Sequence, residues 1–239
     1  MAKAGRRGRG KRRGRPFALA ALLLVLIGGA AAGWWQWHSR NWRPSEARWP
    51  DQGVLVGDGD GAVRFAVVKG LGGSFAYLEA SRGARGRDRA FADHLAAARA
   101  AGLAVGAVHV FDPCVPADTQ SENFVIAVPR DRGLLPPAIL MEREADYCPE
   151  PVSEAAIQSE LMTLVNQIEA HAGKPAILAP SADFERRYRV GARIERRLWL
   201  TRDLAEPGYA GRPWTLWTAN AHLRTEAADT PLRWVVARP

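Results

Sequence analysis

The sequence predicts an α/β barrel preceded by one N-terminal transmembrane helix. From Gly53 onward, short apolar runs alternate with helical patterns in five units, and three further apolar runs (RLWLT, PWTLWT and PLRWVV) follow with little helix between them. Strands that alternate with helices form a parallel sheet covered on both faces. Eight strands are enough to close a barrel, so the predicted fold is an irregular TIM-like (β/α)5β3 barrel.

The first five strands are predicted where short runs are rich in β-branched or aromatic residues. These runs are residues 53–57, 74–80, 103–111, 136–142 and 175–179. Two helices are predicted between these strands, at residues 88–102 and 153–173, and a third follows the fifth strand at about residues 182–192. The second of these helices has the clearest limits, because Ser153 suits the N-cap position and Gly173, followed by Pro175, suits the C-terminal end.

An uncharged segment near the N-terminus predicts a membrane anchor. Residues 17–35 (FALAALLLVLIGGAAAGWW) carry no charge and would span about 28 Å as a helix, close to the thickness of the hydrocarbon core. Trp34, Trp35 and Trp37 lie at its outer end, where indole rings favour the headgroup interface. The alternative is a signal peptide cleaved near the small residues 30–32.

The distribution of basic residues gives the anchor an orientation. Residues 1–16 hold eight of the 33 basic residues and no acidic residue, which leaves 25 basic residues against 25 acidic ones. The positive-inside rule then predicts a cytoplasmic tail (1–16), an anchor in the inner membrane (17–37), a tether (38–52) and an exported barrel (53–239). Because the barrel is neutral overall, a nucleic-acid partner is not expected.

The two cysteines, Cys114 and Cys148, both follow the anchor. In an exported domain such a pair predicts a disulfide, with two buried free thiols as the alternative. The five histidines are scattered without the spacing of metal ligands, so we expect neither a metal nor another cofactor.

Candidate reactive groups are the acidic residues that follow the predicted strands, because active sites of α/β barrels lie at the C-terminal ends of their strands. Asp58 and Asp60 follow the first strand, Glu79 ends the second, Asp112 follows the third and Glu142 ends the fourth.

Several of these segments resemble glycoside hydrolase family 25, the lysozymes or N-acetylmuramidases. The residues that carry the resemblance are GSFAYLEASRGARGRDRAFADHLAAARAAGLAVGAVHVF, then QSENF and LPPAILME, with KPAILA and PWTLW towards the C-terminus. The resemblance covers about residues 53–218. It implies hydrolysis of the β-1,4 bond between N-acetylmuramic acid and N-acetylglucosamine in peptidoglycan, with Glu142 as the general acid.

The same resemblance implies that several acids of the family are replaced here. Leu140 stands where the family has an aspartate two residues before its general acid, Leu55 replaces an aspartate of the first strand, and Arg233 falls at another acidic position. His109 matches a histidine of the family. We therefore expect either a lysozyme assisted by the acetamido group of its substrate, or an inactive barrel that binds cell-wall glycan or a protein.

The remaining site predictions concern residues that could supplement Glu142. Glu79 is a candidate second catalytic carboxylate, and its alternatives are a solvated loop residue or a partner of Arg82. His109, Trp217 and Asp58 are candidate substrate-binding residues, although a tryptophan in a barrel strand is more often part of the core.

Overall fold

The structure, a computed structural model, describes residues 14–239. The chain forms two compact units, one ending at Ser39 and the other comprising Arg40–Pro239. Helix α1 spans Gly14–Asn41, and its segment Leu19–Asn41 is long and apolar enough to be a candidate membrane span, with none of it buried. Most of the predicted basic tail lies outside the described residues.

The second unit contains nine strands and six helices among the described residues. The strands are β1 (Gln52–Val56), β2 (Gly73–Arg82), β3 (Gly86–Arg87), β4 (Ala104–Val110), β5 (Ala138–Met141), β6 (Ile177–Pro180), β7 (Arg197–Thr201), β8 (Leu216–Leu223) and β9 (Leu232–Ala237). The helices are α2 (Phe65–Gly70), α3 (Phe91–Ala100), α4 (Ala117–Ala127), α5 (Glu154–Ala172), α6 (Ala182–Tyr188) and α7 (Val190–Arg193).

Eight of these strands close into a barrel. Strands β1, β2, β4, β5, β6, β7 and β8 pair in that order and in parallel, and β9 closes the ring by pairing antiparallel with both β8 and β1. The two-residue β3 forms a hairpin with the end of β2. Helices follow each of the first five barrel strands, and β7–β9 come without helices between them. The predicted (β/α)5β3 barrel is therefore confirmed.

The barrel interior is filled by inward-facing side chains. Tyr77 and Trp199 meet there, with their ring centroids 5.0 Å apart. The Tyr77 hydroxyl donates a hydrogen bond to the Pro136 carbonyl oxygen across 3.1 Å. Gly106 on the neighbouring strand makes room for this ring, because a Cβ atom at residue 106 would lie 2.2 Å from a carbon of Tyr77. A second, larger apolar layer packs between the outside of the strands and the helices.

Helix α5 shows why some elements were predictable. The Ser153 side chain accepts a hydrogen bond from the Ala156 amide at its start, and Gly173 adopts the left-handed conformation at its end. Helix α4 was not predicted, because the residues it buries include the polar Gln120 and Asn123. Its sequence therefore lacks the apolar periodicity that identifies an amphipathic helix.

Residues 40–51, which belong to the predicted tether (38–52) and which we term the strap, pack along the barrel. The Trp49 ring lies 5.3 Å from that of Trp214 and 5.9 Å from that of Trp217, and only 7% of Trp49 is exposed. The Arg43 guanidinium lies over the Trp234 ring at 4.9 Å. Since β7–β9 have no helices between them, the strap supplies cover that helices supply elsewhere in the barrel.

We expect Trp49→Ala to lower the free energy of unfolding by about 3 kcal/mol, because it opens a cavity among buried indole rings. Urea denaturation of residues 38–239, followed by circular dichroism, measures this loss. Tyr147→Ala is the matched control, since Tyr147 is 78% exposed and its replacement is expected to change stability by less than about 0.5 kcal/mol. An unchanged urea midpoint for Trp49→Ala would show that the strap adds no stability.

Candidate active site

A cleft of about 230 Å³ opens at the C-terminal ends of the barrel strands. Its floor is apolar and includes Leu55, Leu140 and Trp199. Its lining residues come from β1, β5, β6, β7, β8, β9 and the loops that follow; they are Leu55, Leu140, Glu142, Ala179, Ser181, Trp199, Thr201, Thr218, Ala221 and Arg233. The cleft therefore lies where the predicted reactive residues were expected.

The structure brings Glu142 and Glu79 together through Arg82. Glu142 follows β5, and one of its carboxylate oxygens lies 3.2 Å from Nη1 of Arg82. Nη2 of the same guanidinium lies 3.1 Å from Oε2 of Glu79. Because one guanidinium contacts both, the bridged oxygens of Glu79 and Glu142 are at most about 9 Å apart, which does not exceed the upper limit for paired glycosidase carboxylates.

A second arginine extends these contacts into the barrel. Arg233, on β9, donates from Nη1 to Glu79 Oε1 at 2.7 Å and from Nη2 to Asp60 Oδ2 at 3.2 Å. The same Asp60 oxygen accepts a hydrogen bond from the Gly57 amide at 2.7 Å. Burial disfavours the charged form of Arg233, but the carboxylates of Glu79 and Asp60 outweigh it and raise the pKa of Arg233 above its usual value.

The five side chains form one line of alternating charge, which we term the ion-pair ladder: Asp60, Arg233, Glu79, Arg82 and Glu142. Three carboxylates and two guanidinium groups give it a net charge of −1. Both oxygens of Glu79 contact an arginine, and its side chain is only 11% exposed. Glu142 has one arginine partner and is 42% exposed. It is therefore the carboxylate of the ladder that a ligand in the cleft can approach.

His109 lies outside this cleft. It points away from the barrel interior towards α4, where its Nδ1 lies 2.8 Å from Ser81 Oγ and its Nε2 lies 3.2 Å from Gln120 Oε1. Its ring is fully buried. Burial lowers the pKa of His109 to about 4, so the ring is neutral near pH 7.

Trp217 and Asp58 are likewise not members of the ion-pair ladder. Trp217 is 2% exposed, packs against Trp49 and Trp214, and donates from Nε1 to the Arg202 carbonyl oxygen at 2.8 Å. It thus belongs to the core beneath the strap. Asp58 is exposed in the short 3-10 turn Asp58–Asp60 that follows β1.

A disulfide joins the loops that follow β4 and β5. Cys114 and Cys148 are bonded, and their positions are 34 apart in the sequence. The bond links the loop carrying Asp112 to the loop that starts at Glu142. Within residues 14–239, no group of three or more histidine, cysteine, aspartate or glutamate residues is placed to hold a metal ion.

The strand ends that line the cleft were predictable from the sequence, but the arrangement of their polar groups was not. Trp199 donates from Nε1 to Thr218 Oγ1 at 2.8 Å, so this hydroxyl is engaged with the cleft floor. Tyr209 was not identified, although its hydroxyl donates to the Pro180 carbonyl oxygen at 2.9 Å and accepts from the Thr201 amide at 3.0 Å. It fixes the ends of β6 and β7, and no sequence pattern marks it.

An eight-stranded α/β barrel with a carboxylate at the end of its parallel strand β5 is an architecture of glycoside hydrolases. The chain belongs to the glycosyl hydrolases family 25, whose family model matches residues 56–224. This confirms the resemblance inferred from the sequence. No curated protein matches the chain.

Solved structures share the fold. A family 25 glycosyl hydrolase from Bacillus anthracis is 24% identical with a TM-score of 0.75, and the match covers 84% of this chain and 93% of that one. A bacterial lysozyme from Streptomyces coelicolor is 19% identical with a TM-score of 0.70, covering 79% and 92%. A family 25 lysozyme from Aspergillus fumigatus is also 19% identical, with a TM-score of 0.65, covering 79% and 94%.

Proposed function

We propose that this chain is a membrane-anchored, lysozyme-type domain directed at peptidoglycan. Family membership and a cleft at the C-terminal end of the barrel support a glycan as ligand. The apolar segment of α1, the exposed tryptophans at its end and the basic residues before it support an inner-membrane anchor with a cytoplasmic N-terminus. In this arrangement, the barrel and its peptidoglycan ligand are outside the cytoplasm.

The observation that carries the proposed activity is the position of Glu142. It lies two residues after the inward-facing Leu140, just beyond the end of β5, and reaches the cleft with 42% of its side chain exposed. Cleavage of a glycosidic bond needs a carboxylic acid that protonates the leaving oxygen, and a second group, either a carboxylate or the carbonyl oxygen of the substrate's own acetamido group, that stabilises the positive sugar ring. We assign the first role to Glu142. The acetamido group of the substrate supplies the second, because both oxygens of Glu79 are engaged by arginines.

A specific observation favours a second candidate function, binding of glycan or of a protein without hydrolysis. Leu55 and Leu140 make the cleft floor apolar beside Glu142, and neither side chain stabilises a developing positive charge. Arg82 contacts Glu142 at 3.2 Å, so the group that would protonate the leaving oxygen is engaged by a guanidinium. Both functions use the same cleft, so one experiment separates them.

The deciding experiment is dye release from purified peptidoglycan by residues 38–239. For a lysozyme, we expect release by the wild type and a loss of at least about 100-fold in Glu142→Gln, the usual contribution of a general acid. Glu150→Gln is the matched control, because Glu150 is an exposed carboxylate of the same loop. Sedimentation with peptidoglycan in the absence of release supports the second candidate. If the protein neither releases dye nor sediments with peptidoglycan, both candidate functions are contradicted.

A further inference from the structure

The two arginines of the ion-pair ladder differ in how exposed their side chains are to a ligand. The Arg233 side chain is 24% exposed and is held by Glu79 and Asp60. The Arg82 side chain is 49% exposed, and its partner Glu142 is 42% exposed. Arg233 lines the cleft, whereas Arg82 is the more exposed cation of the ladder and the more accessible from solvent.

The backbone of Arg82 is fixed while its side chain remains accessible. The Asn123 side chain is buried in α4 and donates from Nδ2 to the carbonyl oxygens of Gly83 and Gly86, each at 2.9 Å. Its Oδ1 accepts a hydrogen bond from Arg87 Nε at 2.7 Å. These contacts hold the β2–β3 hairpin in place, so the Arg82 guanidinium is presented from a rigid support.

The contact between Arg82 and Glu142 is one that a ligand can replace. Ion pairs between exposed side chains contribute little to stability because water and salt screen both charges. A guanidinium binds carboxylates through parallel N–H donors, so an incoming carboxylate can make the same hydrogen bonds as Glu142 does. The Glu79 contact of Arg82 is more buried and would persist during this exchange.

We propose that Arg82 is a specificity-determining residue that binds a carboxylate of the glycan. This carboxylate replaces Glu142 as the ion-pair partner of Arg82. The inference rests on the proposed function and names the residue that recognises the acidic sugar of its glycan. Muramic acid offers the lactyl carboxylate when it carries no peptide, and a peptide stem offers carboxylates of its own. Binding of either group frees Glu142 from its ion pair with Arg82.

The test compares three glycans of equal sugar length by calorimetry, using the full chain in detergent micelles. They are chitotetraose, which is neutral, a peptide-free tetrasaccharide of alternating N-acetylglucosamine and N-acetylmuramic acid, and the same tetrasaccharide with peptide stems. We expect the wild type to bind at least one acidic glycan about tenfold more tightly than chitotetraose, and this preference to weaken with added salt. The acidic glycan that is preferred identifies the source of the carboxylate.

Variants of Arg82 test whether this residue causes the preference for acidic over neutral glycans. Arg82→Gln should reduce the preference to within about twofold, and Arg82→Lys should retain part of it because the charge remains. Arg85→Gln, which removes an exposed charge from the same hairpin, should keep the full preference. Equal wild-type affinities for acidic and neutral glycans, or an unchanged preference in Arg82→Gln, would overturn the inference and leave the proposed function standing. If the wild type binds none of the three glycans, the proposed function itself is contradicted.

Discussion

Replacing Arg233 with methionine is expected to lower the free energy of unfolding of the barrel by about 3–5 kcal/mol, the cost of leaving a buried charge without its partner. Glu79 and Asp60 are 11% and 16% exposed, and each contacts Arg233. Methionine matches the aliphatic stem of arginine but donates no hydrogen bond. The loss therefore measures the uncompensated carboxylates more than a change in packing.

A urea titration of residues 38–239 followed by circular dichroism measures this effect. Arg89→Met is the matched control, since Arg89 is exposed and its replacement is expected to cost less than about 0.5 kcal/mol. Combining Arg233→Met with Glu79→Gln should restore at least half of the lost stability, because one of the unpaired charges is removed with its partner. A loss below about 1 kcal/mol in Arg233→Met would mean that Arg82 and the Gly57 amide suffice to hold both carboxylates.

The fold could be predicted from the sequence because the barrel repeats one strong pattern. Buried strands of four to ten residues alternate with helices, and the limits of α5 are marked by Ser153 and Gly173. The strap could not be predicted in the same way. Trp42 and Trp49 lie in a polar, aperiodic stretch, and their partners in β8 are more than 150 residues away along the chain. The strap packs on this side of the barrel because no helices between β7, β8 and β9 bury the outer face of these strands.

The position of the candidate site in the barrel was predictable from the sequence, but the contacts among its side chains were not. Glu79 and Glu142 were expected at one end of the barrel because parallel strands end there together. Which side chains point inward could not be read from the sequence, because a sheet covered on both faces lacks polar and apolar alternation. His109 lies between the inward-facing Val108 and Val110 and therefore points outward. The ladder itself depends on contacts between distant segments, such as Arg233 with Glu79.

Replacing Leu140 with aspartate is expected to raise the rate of peptidoglycan hydrolysis at least about tenfold. Leu140 faces inward on β5, lines the cleft and precedes Glu142 by two residues on the same side of the strand. Two residues along a strand correspond to about 7 Å, within the separation of paired glycosidase carboxylates. A carboxylate at residue 140 would stabilise the positive charge that develops on the sugar, in a cleft whose apolar walls strengthen the interaction.

The gain in hydrolysis rate is accompanied by a loss of stability, and a control variant distinguishes the effect of the charge from that of polarity. Leu140 is 8% exposed, so burying a carboxyl group there should lower the free energy of unfolding by about 2–4 kcal/mol. Leu140→Asn has a similar size and polarity but no negative charge, and it should lose stability without gaining activity. Adding Glu142→Gln to Leu140→Asp should abolish the gain, because the new carboxylate stabilises charge only after the leaving oxygen has been protonated. If the aspartate and asparagine variants release dye at equal rates, the apolar floor of the cleft is not what limits hydrolysis.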